Sequence, residues 1–346
     1  MRFHVPHWKP FRHRRVVISF TLLLAAPLLL LPVHLYESGV LEHWLESPYS
    51  EYTYPLEIDV DHLLRTLRAG RKPAYRALNH YERYVFKIPN ERKCHLPGSP
   101  PSLLIVVKSA VDHMSRRDVI RKTWGQEGRF HDVDVRRVFM VGVKADKETA
   151  LDAENAAHGD LVQADFIDSY WNVTIKTMLA FRWVLEHCSG VQWVFFVDDD
   201  FYVSTKNLIR FVQVSVNPTD RHLVGLVYED TGPIRDHRNK WYVSLCEFPF
   251  SRYPPFAIAG AYVVSMPALF DLYQAARYTR QFRFDDVFLG ILAKKIDLRP
   301  LHSDLFREKK HPTKPEDFVG LVAAHGFHDS VLLVRVWERE RRLGNA

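Results

Sequence analysis

Three carboxylates in a row, Asp198-Asp199-Asp200, end the run Val191-Gln-Trp-Val-Phe-Phe-Val197. Adjacent carboxylates repel one another, and left uncompensated they are costly. A hard divalent cation is the simplest compensation, because Mg²⁺ or Mn²⁺ takes one or two carboxylates plus substrate phosphate oxygens. The plainer reading is a solvated acidic turn, but the hydrophobic run ahead of it favours the metal. His325 follows the apolar stretch Val319–Ala324. It is either a satisfied histidine or the imidazole that completes the metal's shell.

A second acidic pair stands in Phe284-Asp-Asp-Val-Phe-Leu-Gly290. Val287/Ile291 and Phe288/Leu292 recur four apart, so Asp285 and Asp286 open a helix. Acids in a first turn are stabilised by the helix dipole. A carboxylate kept ionised there is equally placed to act as general base toward a hydroxyl. In Arg116-Arg-Asp-Val-Ile-Arg-Lys-Thr-Trp-Gly125, Arg117 and Arg121 share a helical face. That face either grips phosphate or is simply solvated. No Walker-type or GxGxxG loop occurs, which removes the usual support for kinase, NTPase and dinucleotide readings.

The elements that must hold these groups follow from periodicity. Val191–Val197 is a strand buried on both faces, and ligands of open α/β sheets sit at the carboxyl ends of such strands. Ser102–Val107, Arg137–Gly142 and Leu161–Phe166 read as further strands, with helices over Arg116–Gln126 and Thr174–Cys188. This alternation predicts an α/β domain with a mostly parallel sheet flanked by helices. Leu223–Val227, Trp241–Leu245 and Ile258–Ser265 read as strands of a second half, and Ser265 caps a helix holding Pro267.

That half offers aromatics, Trp241 and Tyr253, for stacking on sugars or for core packing. Gly260, inside a strand, permits close approach of a ligand or another backbone. Asn172-Val-Thr174 is a glycosylation sequon, or else Asn172 caps the next helix.

The formal net charge is +6, but Arg2, Lys9, Arg12, Arg14 and Arg15 supply five of these charges before the first acid. The rest of the chain is nearly neutral and carries no electrostatic footprint for nucleic acid. Val16–Leu35 contains no Asp, Glu, Lys or Arg and, at helical rise, just spans a hydrocarbon core. The basic residues before it and Glu37, Glu42 and Glu46 after it orient the remainder to the lumen. The expected organisation is a cytoplasmic tail (1–15), a transmembrane signal-anchor (16–35), a luminal stem (36–100) and a catalytic domain (101–346). The stem contains one amphipathic helix near Ile58–Arg68. Three cysteines (Cys94, Cys188, Cys246) lack zinc-like spacing.

The ordered set RRDVIRKTWG (116–125), DFIDSYWNVTIKT (165–177), FVDDDFYV (196–203), KWYVS (240–244), YPPFAIAGAYVVS (253–265) and FDDVFLG (284–290) resembles the β1,3-glycosyltransferases of glycosyltransferase family 31. The resemblance covers about residues 101–340. It implies a GT-A type Rossmann-like fold, a UDP-sugar donor, Mn²⁺ (with Mg²⁺ as the alternative) and inversion at the anomeric carbon. It places the metal at Asp198, Asp199, Asp200 and His325, and the base at Asp286. The family usually has Glu where Asp285 stands. Arg117, Arg121, Asp165, Asp168 and Lys176 fall beside the nucleotide sugar, and Trp241, Tyr253, Gly260 and Asp285 beside the acceptor. Within the family the resemblance implies UDP-GlcNAc and a β-mannosyl glycosphingolipid in the Golgi lumen, with galactose transfer to glycolipid or glycoprotein glycans as the alternative. A carbohydrate-binding protein on a degenerate transferase fold would lack Asp200 or Asp286, and both are present.

Overall fold

The computed structural model describes residues 31–52, 58–95, 102–130, 132–309 and 312–346. The expected cytoplasmic tail and most of the expected anchor lie outside them. Among the described residues, no helix is long and apolar enough to cross a membrane. The chain divides into two units, Met1–Thr53 with Thr231–Tyr253, and Tyr54–Asp230 with Pro254–Ala346.

The larger unit is built on one sheet. Its strands are β1 (Phe86–Ile88), β2 (Leu103–Lys108), β3 (Gly128–Phe130), β4 (Val133–Val143), β5 (Leu161–Ile167), β6 (Trp193–Asp198), then, after β7 (Phe201–Val203), β8 (Leu223–Tyr228), β9 (Phe256–Ser265) and β10 (Leu301–His302). They lie in the order β1-β5-β4-β2-β6-β9-β8-β10, with β3 on β4. A second small sheet joins β11 (Phe306–Arg307), β12 (Ala323–His325) and β7.

The large sheet is mixed rather than mostly parallel. Its centre, β5-β4-β2-β6, is parallel. β9 runs antiparallel to both β6 and β8, and β1 antiparallel to β5. The reason lies in the connections, since a parallel return needs a crossover, usually a helix. No helix stands between Tyr228 and Phe256, so β9 returns beside β8 in the opposite sense.

Both faces of the sheet are covered, as unbroken apolar strands require. Leu103, Ile105, Val107, Phe195 and Val197 pack on one side with Ile120, Trp124, Leu333 and Trp337. On the other side Phe196 meets Phe181 at 4.9 Å and stacks on Tyr262 at 5.1 Å between ring centres. Truncating one of these rings to Ala costs roughly 3–5 kcal/mol.

Residues 58–95, expected as stem, belong to this unit. Asp59 caps the Val60–Arg68 helix by accepting from His62 N at 2.9 Å, and the helix buries Leu63 and Leu64. β1 extends the sheet edge, and Cys94 is disulfide-bonded to Cys188. A link closing a loop of that length stabilises by about 4–5 kcal/mol and suits an oxidising compartment.

The smaller unit is stitched around Arg235, which is 1 % exposed. Its guanidinium donates to Glu46 Oε1, Val243 O and Phe248 O, each at 2.7 Å. The strand expected at Trp241–Leu245 is reduced to a single bridge between Ile234 and Tyr242, because its backbone partners are turns and Arg235. Cys246 here is free and exposed.

Candidate active site

The expected metal and base residues of the larger unit meet at the carboxyl ends of β2 and β6. Asp198 closes β6 in register with Lys108, the last residue of β2. Lys108 is 5 % exposed, and its Nζ lies 3.1 Å from Asp198 Oδ1 and 3.0 Å from Asp285 Oδ2. The two carboxylates hold its ammonium charged, against the pull of burial. Desolvation pushes the Asp198 carboxyl up to about 7, as do the charges of Asp200 and Asp285, with Lys108 opposing.

The three aspartates diverge because the chain turns immediately after β6. Asp199 is directed away from its neighbours. Its carboxylate accepts from Ser109 Oγ at 2.7 Å and Arg116 Nη1 at 2.8 Å, and lies 2.8 Å from His113 Nδ1. Burial raises its pKa, but these partners outweigh burial and keep it below the ordinary range. Asp199, expected beside the metal, here ties the β6 turn to the Met114–Lys122 helix. Both of its oxygens are engaged within the protein.

Asp200 turns the other way. β12 pairs with β7, and Gly326 N and Phe327 N donate to Asp200 O at 3.1 and 2.8 Å. These bonds bring two imidazoles to its side chain. His328 Nδ1 lies 3.1 Å and His325 Nε2 3.5 Å from Asp200 Oδ2. Ligand atoms of Asp200, His325 and His328 lie within 4.8 Å of one another. Asp200 Oδ1 is buried and has no hydrogen-bond partner, which leaves it free to take a ligand beside the two imidazoles. The hydrogen bond to Asp200 raises the His325 pKa, against burial. One carboxylate and two imidazoles fit a divalent transition metal better than Mg²⁺, which prefers oxygen throughout. His328 was not among the expected ligands. Its only sequence signal is the spacing His-Gly-Phe-His.

Asp286 sits in the first turn of the Asp285–Lys295 helix, and its Oδ1 accepts from Val287 N at 2.7 Å. Desolvation, then the charge of Asp285, pushes its carboxyl up to about 7. A base with that affinity is matched to neutral solution. Asp285 faces inward, accepting from Thr177 Oγ1 at 2.6 Å and Lys108 Nζ at 3.0 Å. Both contacts tie the expected acceptor residue to the protein's own β2 end and Val173–His187 helix. Gly290 closes the motif for a packing reason. A Cβ there would meet Phe256 Cβ at 2.6 Å and Pro255 O at 2.9 Å.

The expected nucleotide residues separate into two groups. Arg117 is 0 % exposed and grips Glu154 through two nitrogens, at 2.8 and 2.7 Å. Arg121 binds Glu154 and Asp160. Buried acids from the Glu148–His158 helix and the residue before β5 engage both guanidiniums. Asp165 holds the sheet edge, accepting from Val85 N at 2.7 Å. Asp168 and Lys176 do meet at the strand ends. Lys176 Nζ lies 2.7 Å from Asp168 Oδ1 and donates to Ser109 O at 2.6 Å, while Asp168 Oδ2 accepts from Gly142 N at 2.8 Å.

Gly260 gives room to the ring of Phe201. A Cβ there would meet Phe201 Cζ at 2.6 Å and approach Asp198 Oδ2 to 3.6 Å. Asn172 is half-buried and makes no capping bond. Its Nδ2 donates to Ile167 O at 2.9 Å. In the smaller unit, Trp241 is 44 % exposed beneath Lys240, whose Nζ is 4.3 Å from the ring centre. Tyr253 is buried against Phe248 at 4.9 Å, so its ring is a core contact. Lys108, Thr177 and His328 are what the sequence reading missed.

The galactosyltransferase family model matches residues 115–304. The β-1,3-galactosyltransferase brn of Drosophila melanogaster is 38% identical over 334 residues, covering 95% of this chain and 98% of that protein. The lactosylceramide 1,3-N-acetyl-β-D-glucosaminyltransferase of Xenopus tropicalis is 32% identical over 259 residues, 72% of this chain and 68% of that one. A solved galactosyltransferase LgtC, in complex with donor and acceptor sugar analogues, covers 70% of this chain and 100% of its own, with a TM-score of 0.39 and 10% identity. On the family match and the fly relative, this chain belongs to the galactosyltransferase family, glycosyltransferase family 31, and is a β1,3-glycosyltransferase.

Proposed function

We propose that the protein transfers N-acetylglucosamine from UDP-GlcNAc, with inversion, to the 3-hydroxyl of a β-mannosyl glycosphingolipid in the Golgi lumen. The observation that carries the reaction is Asp286, a carboxylate with raised pKa next to Asp285, which shares Lys108 with Asp198 of the Asp198–Asp200 turn. Asp286 takes the proton of the acceptor hydroxyl as that oxygen attacks the anomeric carbon opposite UDP. No covalent glycosyl-enzyme is required. Lys108 and Thr177 fix Asp285 at the helix start, so that Asp286 is presented at a constant position. Asp168, just after β5, and Lys176, in the Val173–His187 helix, bond Gly142 of β4 and Ser109 after β2, at the sheet end where an α/β fold receives a nucleotide. Asp200, His325 and His328 would hold Mn²⁺, which supplies positive charge against the departing diphosphate. A GT-A type fold and a type II anchor at residues 16–35 belong to the same reading.

The donor rests on the resemblance within the family and on the frog relative, whose name couples N-acetylglucosamine to lactosylceramide. Galactose is the second reading, favoured by the name of the fly relative. The full chain in detergent with Mn²⁺, offered UDP-GlcNAc and UDP-galactose on mannosyl and galactosyl acceptors, separates them. GlcNAc transfer to the mannoside, abolished by Asp286→Asn, is expected. Galactose transfer would overturn the donor, and UDP release without an acceptor product would overturn the transfer.

A further inference from the structure

In the smaller unit the distribution of polar and apolar groups along residues 31–46 is inverted. Two of its acids are turned inward. Glu46 is paired to the buried Arg235 at 2.7 Å, and Glu42 accepts from Tyr242 Oη at 2.8 Å. The large apolar side chains face out. Trp44 is 79 % and Leu45 72 % exposed, with Leu41, Tyr36, Val33 and Leu31 all above 40 %. A soluble surface scatters such residues singly, and a contiguous run of them marks a partner.

Two further observations identify the partner. This surface overlaps the last residues of the apolar run Val16–Leu35 and continues beyond it. It is also held rigidly to the unit. Gly39 adopts φ 73°, and a Cβ there would lie 2.1 Å from Arg235 O, so only glycine lets the chain seat on the Arg235 segment. From Leu35 to Gly39 is a span of at most ~14 Å even fully extended. A folded unit fixed that close to the end of an anchor cannot stand off the bilayer as a stem would. Trp and Tyr are the side chains that favour the headgroup level.

We infer that the face carrying Leu41, Trp44 and Leu45 seats in the interfacial layer of the bilayer, so that the unit holding Trp241 works at the membrane surface on a membrane-borne acceptor. The inference rests on the anchor and glycolipid readings above. It deepens them by giving the segment after the anchor a docking role in place of a spacer's.

The test uses the full chain reconstituted in phosphatidylcholine vesicles, with and without bromine along the acyl chains. Brominated lipid is expected to quench a component of tryptophan fluorescence that Trp44→Phe removes. Equal quenching of wild type and variant would overturn the docking. A second arm combines Leu41→Ser, Trp44→Ser and Leu45→Ser. The KM for a glycolipid acceptor in the vesicle is expected to rise roughly ten-fold or more, with turnover of a soluble glycoside acceptor unchanged. A parallel loss on both acceptors would show a folding defect and overturn the specific role. If the wild type turns over neither acceptor, the acceptor reading falls, while the quenching result still decides the docking.

Discussion

Lys108 and Asp285, 177 positions apart, are joined by a buried contact of 3.0 Å between Nζ and Oδ2. Through it the strand-end aspartate and the helix that opens with the base share one cation. Removing one partner of a buried pair leaves an uncompensated charge, at a cost of about 3–5 kcal/mol. Lys108→Met is therefore expected to lower the melting temperature and cut kcat by ~100-fold or more. Adding Asp285→Asn removes the stranded carboxylate, so the double variant should melt above Lys108→Met. A double variant that melts lower would refute the coupling.

The raised pKa of Asp286 fixes the sign of two pH effects. The base acts ionised, so log kcat/KM should rise with unit slope and level off above about pH 7. For stability the sign is opposite. A carboxyl with its folded pKa above the unfolded value favours the folded state while protonated, fully so below about pH 4, and that contribution is lost as pH rises through 7. Asp286→Asn should thus cost ~10²–10⁴ in kcat and yet stabilise the protein at pH 8, by on the order of 1–3 kcal/mol after allowance for partial exposure. Melting curves of both proteins at pH 5 and pH 8 check this, and an unchanged difference between the two pH values would count against the assigned shift.

Asp199 and His328 make opposite predictions although both flank Asp200. His328→Ala should raise the Mn²⁺ concentration for half-maximal activity by roughly 10–100-fold. It should also narrow the preference for Mn²⁺ over Mg²⁺, since an imidazole is lost from a site otherwise suited to either. Asp199→Asn should leave that requirement within about two-fold and lower stability instead, because Arg116 and His113 lose their anion. Metal titrations of activity beside thermal melts distinguish the two.

The sequence revealed some of this arrangement and hid the rest for identifiable reasons. The apolar run into Asp198 marks a central strand, and periodicity places Asp286 in a first helical turn. Both are local signals. The divergence of Asp198, Asp199 and Asp200 depends on φ/ψ at a turn that no side-chain pattern encodes. Lys108 reads as an ordinary strand-terminal lysine until β2 and β6 are aligned, and Asp285 reads as a helix-dipole acid until Thr177 is placed against it. The antiparallel entry of β9 was hidden as well, because an apolar strand reads the same in either direction.

Arg117 is the sharpest case of a residue whose chemistry and placement disagree. Its type and spacing suit phosphate, but its partners Glu154, Ser109 Oγ, Ala110 O and Val111 O occupy the whole guanidinium. A phosphate-binding arginine would leave its mark on substrate affinity, whereas a buried strut would leave it on stability alone. Arg117→Met strands Glu154 beside Arg121 and should cost about 3–5 kcal/mol. Glu154→Gln keeps the shape and one acceptor oxygen, loses the hydrogen bond at the other position to an amide donor, and leaves no buried carboxylate behind, so it should cost less. Assayed below their melting transitions, both variants should show a KM for the nucleotide sugar within about two-fold of wild type, as expected for a group that makes no contact with it. A ten-fold rise in that KM for Arg117→Met, without the same rise in Glu154→Gln, would return Arg117 to the nucleotide site.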